Sequence, residues 1–145
     1  IEGAVGGIVA TDCKIGRSRY WAANATVPVN EISFRIVMTN VSSKPVTLSG
    51  DNFATTLDGT PIPPFNFSAR DVGDADIWRT YDSLTIRPGE ERSVALAYEI
   101  SQPTYDSWYR SSRTVAVSFT CGNQRVTYTK NSRSDEITVS DIETL

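Results

Sequence analysis

Apolar side chains recur at every second position along most of this chain and almost nowhere at helical spacing, which predicts strands from end to end. Ile32, Phe34, Ile36 and Met38 alternate with Ser33, Arg35, Val37 and Thr39, as in a strand with one core face and one mixed face. Val46 and Leu48 begin the next strand after Pro45. Asp58-Gly59 marks a tight turn. Pro61, Pro63 and Pro64 keep the segment beyond that turn out of any central strand, because proline has no N–H to give to a ladder. Leu84 and Ile86 form a short strand that stops at Pro88-Gly89, and beyond it Val94, Leu96, Tyr98 and Ile100 alternate again. Val115, Val117, Phe119 and Cys121 share a face. The pair Gly122-Asn123 separates them from Val126 and Tyr128, a type II′ hairpin signal. A last strand carries Ile137 and Val139.

About eight to ten short strands, turns of Gly, Pro, Asp and Asn, and no helix of consequence predict an all-β fold. The expected form is an antiparallel Ig-like β-sandwich with Greek-key connections, although the Cys, Trp, Cys landmark of true immunoglobulin domains is missing. Two long connections interrupt the strands, at residues 61–83 and 101–113. Connections of that length are functional, ordered by packing, or a sign of an unrecognised element. Both are aromatic, with Phe65, Phe67, Trp78 and Tyr81 in one and Tyr105, Trp108 and Tyr109 in the other.

The first eleven residues form a separate case. Ile1, Val5 and Val9 fall on one face of an extended strand, with the small positions Gly3 and Gly7 between them. So apolar a segment pairs inside its own sheet or completes the sheet of a neighbouring copy. The expected division is a donor strand at 1–12 and a sandwich domain at 13–145, with the start at Ile rather than Met read as the product of signal-peptide removal.

With 145 residues the chain suits one domain. Its net charge of −3, without a block of like charges, gives no footprint for nucleic acid, and no stretch is apolar enough to span a bilayer. Cys13 and Cys121, an even pair, predict a disulfide in an oxidising compartment. Three N-x-[ST] sequons, at Asn24, Asn40 and Asn66, add a surface glycoprotein carrying N-linked glycans. Histidine is absent, which removes Ser-His-Asp and Cys-His chemistry, and no carboxylate spacing marks an acid and a base, so neither an enzyme nor a cofactor is expected. Asp71, Asp74 and Asp76 offer oxygens for Ca²⁺ without following the EF-hand spacing, so a solvated loop is the expectation there. Trp78, Tyr81, Tyr105, Trp108 and Tyr109 either cap the open ends of the sandwich or form a platform for a sugar or a partner surface.

The apolar strand spaced by Gly at Ile1, Gly3, Val5, Gly7 and Val9, joined to a helix-free sandwich with a cysteine pair and sequons, resembles the subunits of archaeal surface threads and other donor-strand pili. That resemblance implies that every subunit lacks a strand, which the N-terminal strand of the next copy supplies, and that these five residues are the inserted face. The cysteine spacing departs from that of bacterial chaperone-assembled pilins. The segments F-R-I-V-M-T-N-V-S-S-K-P-V from Phe34 to Val46 and L-T-I-R-P-G-E-E from Leu84 to Glu91 are also similar to small telokin-like sandwiches of bacterial lipoproteins. Those are mostly binding or periplasmic modules. The leading expectation is therefore an extracellular, cell-surface filament subunit forming a homopolymer. The alternative is a monomeric surface module whose aromatic loops engage a glycan or protein.

Overall fold

A computed structural model describes residues 3–64, 66–71 and 77–145. Ile1, Phe65, Asp74 and Asp76, named above, lie outside the described residues. In chain order the strands are β1 (Ala4–Val5), β2 (Ile8–Tyr20), β3 (Val29–Asn40), β4 (Val46–Ser49), β5 (Phe53–Leu57), β6 (Thr60–Ile62) and β7 (Asn66–Asp71). They continue with β8 (Arg79–Thr80), β9 (Ser83–Ile86), β10 (Glu91–Glu99), β11 (Thr114–Cys121), β12 (Gln124–Asn131), β13 (Ile137–Val139) and β14 (Glu143–Thr144). A short helix, α1 (Gln102–Asp106), comes after β10.

The chain is an all-β sandwich. One sheet runs β1-β2-β3-β10-β7-β8; the other runs β13-β12-β11-β5-β6, with β14 beside β12. A two-stranded ribbon of β4 and β9 completes the set. Every pairing among the described residues is antiparallel, and neighbours distant in sequence, such as β3 with β10 and β5 with β11, arise where the chain crosses between sheets in Greek-key fashion. Alternation puts Ile32, Phe34, Ile36 and Met38 of β3 and Val94, Leu96 and Tyr98 of β10 inward, against Val117, Phe119 and Tyr128 of the opposite sheet. Phe53 links the layers, its ring 6.0 Å from Phe34 and 5.1 Å from Phe119.

The turns form as the sequence predicts. Gly122-Asn123 joins β11 to β12 with Cys121 opposite Gln124 and a positive φ of 61° at Gly122, the type II′ geometry. Pro61 sits in β6, at the sheet edge, where its missing N–H costs no ladder bond.

Two strands differ from expectation. The long connection at 61–83 contains β7, whose Phe67 and Ala69 point inward while Asn66, Ser68 and Arg70 point out. The division expected at residue 12 falls inside β2, which runs unbroken through Cys13 beside β3. A bulge between Thr11 and Lys14, with Asp12 at φ 52°, kinks β2 there. Beyond Val9 this strand pairs only with β3 among the described residues, and the bulge together with Lys14, Arg17 and Arg19 is how natural sheets guard such an edge.

Candidate binding site

The N-terminal segment does not form one extended face. Gly6 and Gly7, at φ 56° and 85°, make a two-residue type I′ turn, so β1 folds back on β2 with Val5 opposite Ile8. Val5 and Ile8 are buried in the domain's own core, and Val9 pairs with Thr39 of β3. Gly3 is exposed, and Gly7 sits in the turn, so the residues expected to insert together point in different directions. The turn is also built tightly into the domain. A Cβ at Gly6 would lie 2.5 Å from Cys121 Sγ and one at Gly7 2.8 Å from Ser42 Cβ, while the Gly6 N–H donates to Gln124 Oε1 at 3.0 Å. Beside the hairpin, an apolar cleft of about 420 Å³ opens between the sheets, lined by Val5, Ile8, Phe119, Val126, Val139 and Ile142 among others.

The expected disulfide is corrected by the same geometry. Cys13 and Cys121 are both free thiols. Cys121 Sγ lies 3.8 Å from the Gly6 carbonyl oxygen at the hairpin tip, whereas Cys13 is five residues along β2 from Ile8. At about 3.3 Å per strand residue that places them roughly 15 Å apart, well beyond the reach of about 7 Å that a disulfide spans between Cα atoms. Burial pushes the Cys13 thiol up to about 12 and raises Cys121 as well. Burial likewise pushes Tyr98 and Tyr128 up to about 12, with Cys13 adding to the rise at Tyr128. These groups hold their protons in the fold at pH values where the unfolded chain, near its ordinary 9.0 and 10.0, has lost them. Stability is therefore expected to be flat below about pH 8 and to fall as pH rises toward 12, by on the order of 5 kcal/mol at pH 11 if all three groups keep their protons in the fold. Urea unfolding at pH 8 and pH 11 checks this, and iodoacetamide should label both thiols only in denaturant.

The three sequons separate into different environments. Asn24 is exposed, at φ 62° in the loop after β2. Asn66 is half-buried at the start of β7, its Oδ1 accepting from Thr80 Oγ1 at 3.2 Å. Asn40 is corrected as a glycan site. It is 0% exposed, and its Nδ2 donates to the Lys44 and Ile86 carbonyls, both at 2.8 Å. No sugar can join an amide nitrogen enclosed in that way.

The aromatic residues also part company. Trp108 is 1% exposed and belongs to the core, which removes it from any binding loop. α1 starts with Ser101 Oγ accepting from the Thr104 N–H, and the turn after it carries Trp108 into the sandwich end. Tyr105 lies under Arg17 and Arg19, with guanidinium carbons 4.2 and 4.0 Å from its ring centre, and Tyr109 lies 4.6 Å from that of Arg17. Arg19 in turn bonds Asn30 Oδ1 at 2.6 Å and Asp106 at 3.1 Å. This end is a cap laced by arginines. Tyr81 is half-buried and packs against the core. Trp21, exposed at 61% beside Tyr20, escapes sequence reasoning; a Trp in a polar stretch next to a sequon is the available signal.

Trp78 is different, because it stands on the outer face of the six-stranded sheet. Strand register lays Gly16, Ser33, Ala97 and Asn66 in one row across that face, and Lys14, Arg35, Ala95 and Ser68 in the next. The floor is thus almost bare of bulk. Trp78 lies between Arg35 and Arg70, whose guanidinium carbons are 5.4 and 4.9 Å from its ring centre. The result is a pit of about 110 Å³ with Trp78 and Arg35 at one side, Ser33, Ser68, Ala95 and Ala97 lining it, and Glu31 and Asn66 contributing polar groups. Glu31 is held by Ser18 Oγ at 2.7 Å. Asp71, from the acidic loop, pairs with Arg92 at 2.8 Å, and among the described residues no cluster of acidic or cysteine side chains is placed to hold a metal ion.

No protein-family model and no curated protein matches the chain. Among solved structures it is similar to the Bacillus subtilis protein ycdA, described provisionally as a lipoprotein, with a TM-score of 0.53 at 9% identity. The match covers 90% of this chain and 38% of that one, so this chain spans well under half the length of ycdA. An uncharacterised β-sandwich protein from Clostridium difficile matches with a TM-score of 0.49 at 15% identity, covering 86% of this chain and 83% of the other. At these identities the likeness extends to the fold alone. Among the described residues no helix is long and apolar enough to cross a membrane.

Proposed function

We propose that this chain is a secreted or cell-surface β-sandwich module that works as a closed monomer and engages its partner through the outer face of the six-stranded sheet, around Trp78. The observation that carries this reading is the N-terminal hairpin. Val5 and Ile8 fill the domain's own core, and the turn glycines fit against Cys121 and Ser42 too closely to take a side chain. A segment kept for donation to another copy has no need of such a turn. The absence of histidine and of any matched acid–base pair keeps catalysis out of the proposal.

The filament reading retains one supporting observation, the apolar cleft beside β1, into which a strand from a second copy would have to fit. The two readings part on one experiment: light scattering and electron microscopy of the intact chain and of a variant lacking residues 1–7. The closed module is expected to stay monomeric in both forms, and the truncated form loses about 2 kcal/mol of stability with the burial of Val5. Filaments from the intact chain that vanish on truncation would overturn the proposal in favour of strand donation.

A further inference from the structure

We infer that the pit beside Trp78 is a binding site for a single neutral pyranose ring, such as the terminal sugar of a glycan. This rests on the reading of the chain as a binding module and names the chemistry that its exposed sheet face recognises.

The argument begins with what is missing from the floor. On a sandwich face open to water, β3, β7 and β10 line the pit with the small residues Ser33, Ser68, Ala95 and Ala97, and the next residue along the Ser33 row, Gly16 of β2, adds no side chain beside it. Long polar side chains would ordinarily cover such a face, and here they stand only at the rim. Pockets for drug-sized ligands run from roughly 300 to 1,000 Å³. A pit of about 110 Å³ instead seats the body of one ring and leaves the rest of a ligand in solvent.

The rim then selects the chemistry. Trp78 offers an indole, and the C–H faces of a pyranose pack on such a ring while its hydroxyls reach sideways. The Glu31 carboxylate accepts only, so it needs ligand donors; the Arg35 guanidinium donates only, so it needs ligand acceptors. Asn66, Ser33 and Ser68 do both. The several hydroxyls of a hexopyranose, on the ring and on its C6 arm, supply donors and acceptors together. An aliphatic ligand would leave these groups unpaired, an anion would meet Glu31, and a cation would meet Arg35. Charge complementarity therefore favours a neutral polyol with one apolar face. Asn66 adds a consequence: a sugar attached to its Nδ2 would compete for the pit, so the ligand-binding form carries Asn66 unmodified.

The test is a titration followed by NMR of the tryptophan indole N–H groups, using methyl glycosides of glucose, galactose, mannose and N-acetylglucosamine, with methyl glucuronide as the charged control. At least one neutral glycoside should shift the Trp78 signal and saturate with a Kd of about 1 mM, the range of contacts to one ring. Trp78→Ala is expected to abolish binding, and Glu31→Gln to weaken it several-fold. Ala97→Val fills the floor while leaving Trp78 in place and should block binding in a protein whose melting temperature is close to the parent's. Binding that survives both Trp78→Ala and Ala97→Val would overturn the assignment, as would a preference for the glucuronide or no response to any neutral glycoside. Light scattering on the same samples keeps the two levels apart. A polymer overturns the monomeric reading whatever the titration gives, while a folded monomer blind to sugars overturns only the sugar site.

Discussion

Replacing Asn40 with Ala is expected to lower the unfolding free energy by about 3–5 kcal/mol, since the buried partners it leaves unsatisfied cost about 1–3 kcal/mol each. The side chain ties three segments together. Its Nδ2 holds the Lys44 carbonyl in the loop after β3 and the Ile86 carbonyl at the end of β9, and its Oδ1 accepts from the Ser42 N–H at 2.9 Å and Ser42 Oγ at 2.7 Å. Its backbone joins the same corner, donating to Glu90 and accepting from Gly89. Alanine would strip all four side-chain bonds, the one to Ile86 fully buried and the other three partly so. Asn40→Asp should be nearly as harmful, because it restores the acceptor for Ser42 but turns a second oxygen toward two carbonyls. A urea midpoint that falls sharply with an unchanged slope would establish the loss. A midpoint like the parent's would show that the corner is held by its backbone alone.

The second large effect is expected at Trp108, where substitution by Ala should cost about 3–5 kcal/mol, as for other buried aromatic rings. At 1% exposure it is among the largest fully buried side chains, and it sits on the turn after α1, three residues beyond the Tyr105 ring that Arg17 and Arg19 cover. Tyr109→Ala supplies the contrast: at 62% exposure that ring should cost less than about 1 kcal/mol. Differential scanning calorimetry of the pair separates a plug from a platform. Equal melting temperatures for the two variants would mean that the cap carries little of the fold's stability.

How legible these features are in the sequence depends on bulk. The strands β3, β10, β11 and β12 announce themselves because large apolar residues alternate with polar ones for a full strand length, and the Gly122-Asn123 turn fixes its own type. β7 escapes because one of its two inward residues is Ala69, and β2 because only Ile8 and Ile15 along its thirteen residues are buried. Gly7 reads as a spacer in a strand, yet it and Gly6 adopt the left-handed backbone of a turn, a property no alternation count detects. At Asn40 a sequon and a buried hydrogen-bonding asparagine are spelled alike, and only burial tells them apart. The Trp78 pit is half visible. The indole stands out, but its floor is assembled from small residues of β3, β7 and β10, and small side chains at three distant places leave no local pattern.

The interleaving of strands sets when this domain can come into being. β3 has no partner on its far side until β10 is made, and β5 waits for β11, so neither sheet closes while only the first half of the chain exists. A partial chain holds only local hairpins such as β1–β2, β2–β3 and β5–β6, with Ile32, Phe34 and Ile36 bare along one side of β3. Pairings that distant are slow to form, in the range of milliseconds to seconds for sandwiches. The emerging polypeptide thus stays a pliable thread until nearly its last residues have been synthesised, a state suited to passage through a narrow channel and exposed to proteases for as long as it lasts.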